Sequence, residues 1–331
     1  MMPGTRLARV VGTWRERTAL DELPAHLEAV HGIGVAAIEP MPGGLLFRVE
    51  RTDGPPWVAR VFPSARPIER AHGDAEILRF LEREDFPAER LAHPDPVSSL
   101  DGQGVLVTEL VEGAAPSSAD PHTFRTLGEL LGRLHALRAA GGALERDAGC
   151  LHVWSVSDGG LRDALDAAAS WLAEVELMPE GERDHRESLL DTIAGIDVGA
   201  GLPRALIHPD PAFENVIVEP GGRHVFIDWT GAGCAPRVAS LGRLLLVAVQ
   251  RSGWRPRSPN VDAVLAGYGD RVRLTSEELD RLPGSIPIAP LVHDCMRFCM
   301  GRMALEEVTG GFAAISRIAE VLAARARQVL A

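Results

Sequence analysis

The sequence predicts a two-lobed α+β molecule: a small antiparallel sheet, a short hinge, and a larger, mainly helical lobe. Three observations carry that expectation. Residues 34–112 are dense in short apolar strands and turn signals, residues 113–121 are small residues and prolines, and the chain beyond 122 turns to long stretches of helical periodicity. At 331 residues there is enough chain for two cores.

The elements follow in order. Residues 18–31 carry apolar and charged groups at helical spacing. The segments GVAAIEPM, LLFRVER and PPWVARVF then read as three strands, separated by turn signals at 42–44 and 52–56. PIERAHGDAEILRFLERE (67–84) is an amphipathic helix with Ile77, Leu78 and Leu81 inward. VSSLDGQGVLVTELV gives a further strand pair around Asp101-Gly102. Helices are expected over 122–140, 161–177 and 187–196, interrupted by the strands IHPD, ENVIVEP and HVFIDW, and the chain from Ala239 on is mostly helical. The expected boundaries are therefore 1–112 for the N-terminal lobe, 113–121 for the hinge and 122–331 for the C-terminal lobe. There is no internal repeat and no low-complexity tract.

Composition narrows the function. Asp plus Glu number 46 against 34 Lys plus Arg, a net charge of −12. Such a chain lacks the basic surface that sequence-independent nucleic-acid binding needs. No apolar run approaches the ~20 residues of a membrane span, and residues 1–20 lack a secretory apolar core. Cys150, Cys234, Cys295 and Cys299 are dispersed, with no second ligand pair at zinc spacing, so free thiols in a reducing cytoplasm are expected. There is no lysine; every basic side chain other than histidine is arginine.

The chemistry concentrates at His208-Pro-Asp-Pro-Ala-Phe-Glu-Asn215 and at Asp228 in Val-Phe-Ile-Asp-Trp. Pro211 prevents a regular helix, so Asp210 and Asn215 share an irregular loop. Asp228 ends an apolar strand and precedes small residues. One carboxylate to orient a hydroxyl, and an amide with a second carboxylate to hold a divalent metal against phosphates, is a phosphoryl-transfer set. A turn whose Asp and Asn bond their own backbone explains the first pair equally well in isolation. His208 reads as a brace for the loop.

The pattern H-x-D-x-x-x-x-N followed by I-D-W resembles the aminoglycoside phosphotransferase and choline kinase-like family. That resemblance implies a protein-kinase-like fold, ATP and Mg2+ as cofactors, and a small-molecule hydroxyl as acceptor. It implies Asp210 as the catalytic residue that orients the acceptor hydroxyl and accepts its proton, and Asn215 and Asp228 as metal ligands. Arg60, in Trp-Val-Ala-Arg-Val-Phe, falls where the family places a phosphate-contacting lysine, and Glu76 would be its ion-pair partner. Arg keeps the charge but not the shape of Lys. Gly43 and Gly44 fall at the phosphate-covering loop, which is shorter here than in the family. The Glu109 carbonyl and Val111 amide would meet the adenine edge. Ser240 stands where the family has a bracing acid. The resemblance covers 34–112 and 124–250.

The leading expectation is an ATP- and Mg2+-dependent kinase of an aminoglycoside-, macrolide- or amino-alcohol-like compound. The alternative is a pseudokinase-like nucleotide-binding module with little turnover, motivated by Arg60, the short glycine loop and Ser240. A metal-dependent phosphohydrolase using His208, Asp210 and Asp228 is more remote. Asp262, Asp270, Glu277, Glu278, Asp280 and Asp294 could meet a cationic acceptor or be solvated helix faces. No nucleic-acid or membrane partner is expected, and oligomeric state is not legible.

Overall fold

The computed structural model describes residues 21–42, 45–116, 120–149, 160–175 and 182–331. The small lobe is one antiparallel sheet of five strands in the order β1-β2-β3-β5-β4. These are β1 (Val35–Pro40), β2 (Leu46–Arg51), β3 (Trp57–Val61), β4 (Val97–Leu100) and β5 (Gln103–Glu109). Helix α1 (Leu23–His31) closes one face, where Leu23 and Leu27 pack with Phe47, Val49, Trp57, Ala59, Val105 and Val107. Helix α2 (Ile68–Arg83) lies on the other, with Ala71 and Ala75 packed with Phe62 and Leu106.

Strand alternation decides what faces the second lobe. Trp57, Ala59 and Val61 are buried on the α1 side, so Val58 and Arg60 point the opposite way. The β4–β5 turn sits at the expected dipeptide, with Asp101 at φ 48° and Gly102 at φ 77°. Positive φ at both central residues is the two-residue hairpin geometry that matches strand twist.

The larger lobe holds α3 (Pro121–Ala136), α4 (Leu161–Ala173), α5 (Arg183–Gly195), α6 (Val238–Arg251), α7 (Pro259–Gly269), α8 (Ser276–Ser285), α9 (Ile288–Cys299) and α10 (Leu305–Leu330). Two short antiparallel ribbons carry the loops: β6 (Arg204–Ile207) with β9 (Gly233–Pro236), and β7 (Val216–Val218) with β8 (His224–Phe226). Helix α3 begins as its sequence dictates, with the Asp120 carboxylate accepting from His122 N–H at 2.9 Å and Pro121 in the first turn. It packs on α7 closely enough that a Cβ on Gly128 would lie 2.3 Å from the Val264 carbonyl oxygen. A Cβ on Gly267 would lie 2.1 Å from that of Arg125.

The main core runs through α3, α6, α7 and α10, and a second cluster joins α4, α5, α9 and the start of α10. The lobes are stitched by residues 86–91, which follow α2. Phe226 N–H donates to Pro87 O at 2.9 Å and Glu89 N–H to Phe226 O at 3.1 Å, while Leu91 lies opposite Thr108 of β5. Ala114 pairs with Val218 just past the end of the sheet.

Candidate active site

Strand β6 runs into the Asp210 loop, which passes through a single 3-10 turn (Phe213–Asn215) before β7. His208 is fully buried and ties the loop together. Its Nδ1 accepts from Asp210 N–H at 3.2 Å and its Nε2–H donates to Ile227 O at 3.0 Å, a pairing that sets the tautomer. Ile227 N–H in turn donates to Asn215 O at 2.9 Å. These bonds bring the 208–215 loop beside the 227–231 loop, whose Asp228 meets Arg60 of the sheet.

Asp210 is held on both carboxylate oxygens. Arg243 Nε donates to Oδ1 at 2.9 Å, and Asn215 Nδ2 donates to Oδ2 at 3.3 Å and to the Asp210 carbonyl at 2.8 Å. Since the Asn215 nitrogen is committed to Asp210, its side-chain oxygen is the atom available to a cation. Asp228 has φ +62°, the left-handed region that non-glycine residues seldom adopt. Its N–H donates to Glu89 Oε1 at 2.8 Å, and its Oδ1 lies 3.0 Å from Arg60 Nη2. A carboxylate and an amide oxygen are the hard donors that suit Mg2+. Among the described residues no group of three His, Cys, Asp or Glu could hold a metal. Two protein donors completed by substrate phosphates is a common arrangement for that ion.

The expected Arg60–Glu76 pair does not form, and this corrects the sequence expectation. Glu76 lies on a face of α2 turned away from Arg60, where its carboxylate accepts from Ala143 N–H at 3.2 Å. The helix acid that reaches the cleft is Asp74, two positions earlier. It is 1% exposed, binds Arg66 Nη2 at 2.6 Å, also pairs with Arg146, and accepts from Gly231 N–H at 3.4 Å. A two-residue step on a helix turns a side chain by about 200°, so a spacing counted from Arg60 selects the wrong face.

Glu109 ends β5 opposite Trp57, and Leu110 N–H donates to Pro56 O at 3.3 Å. Glu109 is thus at a non-hydrogen-bonded position of that ladder, with its backbone groups turned away from β3. Its N–H donates to Arg90 O at 2.8 Å. Val111 follows on the connection toward α3. Gly43 and Gly44 lie outside the described residues, as do residues 117–119 of the expected hinge and Cys150.

The six acids considered for a cationic acceptor are all within ion-pair distance of arginine. Asp262 pairs with Arg325, Asp270 with Arg125, Glu277 with Arg281, Glu278 with Arg237, Asp280 with Arg327 and Asp294 with Arg297. Ser240 is buried and bonded to His135 Nε2 at 2.9 Å, and His135 Nδ1 lies 2.9 Å from the Tyr268 hydroxyl. This buried trio occupies the position expected for a bracing acid.

Sequence reasoning missed Glu89, Asp74 and Arg243. Arg243 had a signal: it is the one charge in the run Leu241–Val249, and a charge inside an apolar helix needs a partner. Glu89 had little, since the backbone groups it holds lie 139 and 140 residues away.

The sequence matches the phosphotransferase enzyme family (APH) over residues 37–280. Among curated proteins it is similar to a homoserine kinase of Pseudomonas aeruginosa strain PAO1, 27% identical over 248 residues that make up 71% of this chain and 70% of the relative. Among solved structures it is similar to the choline kinase LicA of Streptococcus pneumoniae, with TM-score 0.58, 16% identity and coverage of 92% of this chain and 98% of that one. The amicoumacin kinase hAmiN, solved with AMP-PNP, Ca2+ and Ami, superposes with TM-score 0.61 at 13% identity, covering 96% of each chain. At these identities the structural likeness speaks for the fold, which is that of the two-lobed kinases.

Proposed function

The chain belongs to the phosphotransferase enzyme family, and from that premise we propose that it transfers the γ-phosphoryl group of ATP, with Mg2+, to a hydroxyl of a small molecule. The observation that carries this reading is the fixed pair of loops: Asp210 and Asn215 on one and Asp228 on the other, joined through His208 and Ile227.

Each residue has a distinct task in that reading. Asp210 orients the acceptor hydroxyl in line with the γ-phosphorus and accepts its proton as the O–P bond forms. Asn215 and Asp228 would hold Mg2+, which when bound neutralises charge on the phosphates. Arg60 projects from β3 to meet the phosphates, and the Glu109 carbonyl and Val111 amide line the place of the base. The chain contributes positioning and charge rather than covalent chemistry. The homoserine kinase relative supports an amino alcohol as the first acceptor to test, beside an aminoglycoside or a macrolide.

A panel of homoserine, choline, aminoglycosides and macrolides, read by Mg2+-dependent ADP release, tests the activity. With the acceptor in hand, Asp210→Asn is expected to lower kcat at least ~100-fold while nucleotide affinity stays within threefold, since the lost group acts on the proton and not on ATP. Near-full turnover by that variant would remove Asp210 from the reaction.

One observation favours a second reading, a nucleotide-binding module with little turnover. Both central acids are engaged by arginine, Asp210 by Arg243 and Asp228 by Arg60. Mg2+-dependent nucleotide binding with no product across the whole panel would select it.

A further inference from the structure

Four charged side chains meet at the cleft floor: Arg60, Asp74 and Glu89 line it, and Asp228 reaches Arg60. Glu89 lies on the segment that joins β8 to β5, so it belongs to neither lobe alone. Its carboxylate accepts from Asp228 N–H at 2.8 Å, Trp229 N–H at 3.4 Å and the Thr108 hydroxyl at 3.3 Å. Burial pushes its carboxyl above the usual carboxylate range, the Arg60 charge opposes that shift, and Asp228 adds to it.

Arg60 is bonded to Asp228, an expected metal ligand. A cation on Asp228 and a guanidinium on the same oxygen repel, so the guanidinium must have somewhere else to go. The helix acids are not that place, because Asp74 holds Arg66 and Arg146 while Glu76 caps the turn at 142–143. Glu89 is the further carboxylate facing Arg60 in the cleft.

We propose that Glu89 is a positioning residue for the metal loop. It holds Asp228 in its left-handed conformation through two backbone bonds, and it receives the Arg60 guanidinium when Asp228 turns to Mg2+. The loop after α2 thus supplies the counter-carboxylate that the sequence suggested α2 would provide. This rests on the Mg2+–nucleotide reading of the same cleft.

The test is a calorimetric titration of the full chain with AMP-PNP, in Mg2+ and in EDTA, for wild type, E89Q, R60Q and the double variant. Gln keeps an oxygen to accept the two backbone N–H groups and removes the charge. The ratio of the two Kd values reports how strongly the metal aids nucleotide binding, apart from any loss common to both conditions. For E89Q that ratio is expected to fall about tenfold, because Arg60 then has only Asp228 to pair with. For R60Q it is expected to stay at or above the wild-type ratio, and the double variant is expected to match R60Q within about twofold, since Glu89 acts through Arg60.

An unchanged E89Q ratio, or a double variant in which the two effects simply add, overturns the assignment. Should E89Q not fold, R60Q alone decides: a ratio well below wild type means Arg60 does not compete for Asp228, and the exchange fails. A wild-type ratio of one is a different failure. It removes the Mg2+–nucleotide reading itself, and the role of Glu89 with it.

Discussion

Arg243 and Asp210 show how much a single contact can fix. The guanidinium binds one carboxylate oxygen at 2.9 Å and Asn215 approaches the other, so Asp210 has little rotational freedom. The pair is partly open, with side chains 19% and 14% exposed, and an ion pair of that kind adds only ~1 kcal/mol to stability. Its value lies in orientation. Arg243→Leu is therefore expected to lower kcat about 10- to 100-fold, with nucleotide KM changed less than threefold and thermal stability nearly unchanged. Steady-state kinetics beside a melting curve checks it; a large fall in melting temperature with kcat intact would make Arg243 a structural residue. At this scale the sequence was legible for local placement, Asp210 and Asn215 on one loop and Asp228 just past a strand, because a spacing of five and a strand end survive in one dimension. It was not legible for partners: Arg60 meets Asp228 across 168 residues, and Glu76 was two positions from the acid that reaches the cleft. Family spacing fixes which helix supplies a charge, while helix phase fixes which side chain arrives.

Elements were the most legible scale, since period and turn chemistry are local. The Asp101-Gly102 hairpin and strand β3 fell where the letters placed them. Helix ends were less legible: α3 stops at Ala136 rather than continuing to residue 140, and α4 stops at Ala173 rather than 177. The Leu stripe of α3 was evident in sequence, but the reason for Gly128 was not. That glycine and Gly267 let α3 and α7 cross with backbone against side-chainless backbone. Gly267→Ala is expected to cost about 1–3 kcal/mol or more, because its Cβ would meet the Arg125 carbonyl at 2.1 Å and the helices must part. The control is Gly310→Ala inside α10, where nothing lies within 4 Å of the new Cβ and a gain of roughly 0.5–1 kcal/mol follows from helix propensity. Urea denaturation of both variants distinguishes close packing from propensity: equal and small effects would mean the crossing is slack.

For the whole molecule, the two-lobe plan follows from composition shifts along the chain, and the candidate site is the cleft where Arg60 of the small lobe meets Asp228 of the large one. The chain is acidic by 12 charges, and arginines such as Arg60, Arg146, Arg237 and Arg243 pair with specific carboxylates in both lobes. A loss of stability in acid is expected from a different source. Burial, and secondarily the Arg237 charge, depress the His135 pKa to about 3, against 6.5 for an ordinary histidine. Burial first of all lowers His31 likewise, to about 4. Between pH 6.5 and about 3 the unfolded chain binds a proton at His135 that the folded chain refuses. Stability is therefore full above pH 6.5 and falls as the pH drops through that window. Each such histidine contributes a slope of at most ~1.4 kcal/mol per pH unit. Chemical denaturation at pH 7.5 and 5.0 is expected to show the fall, and His135→Gln to remove its share of the slope. A variant with the wild-type slope would mean that the imidazole between Ser240 and Tyr268 becomes charged without unfolding the core.

The guanidinium on β3 has one more consequence. A kinase whose pocket carries a primary amine can be acylated there by activated-ester analogues of its nucleotide, or condensed with aldehydes into an imine. Arg60 offers neither reaction, and no lysine elsewhere in the chain can stand in for it. Reagents aimed at Arg60 itself are dicarbonyls that close a ring on two guanidinium nitrogens, and occupancy of the cleft by substrate would be read as protection from them.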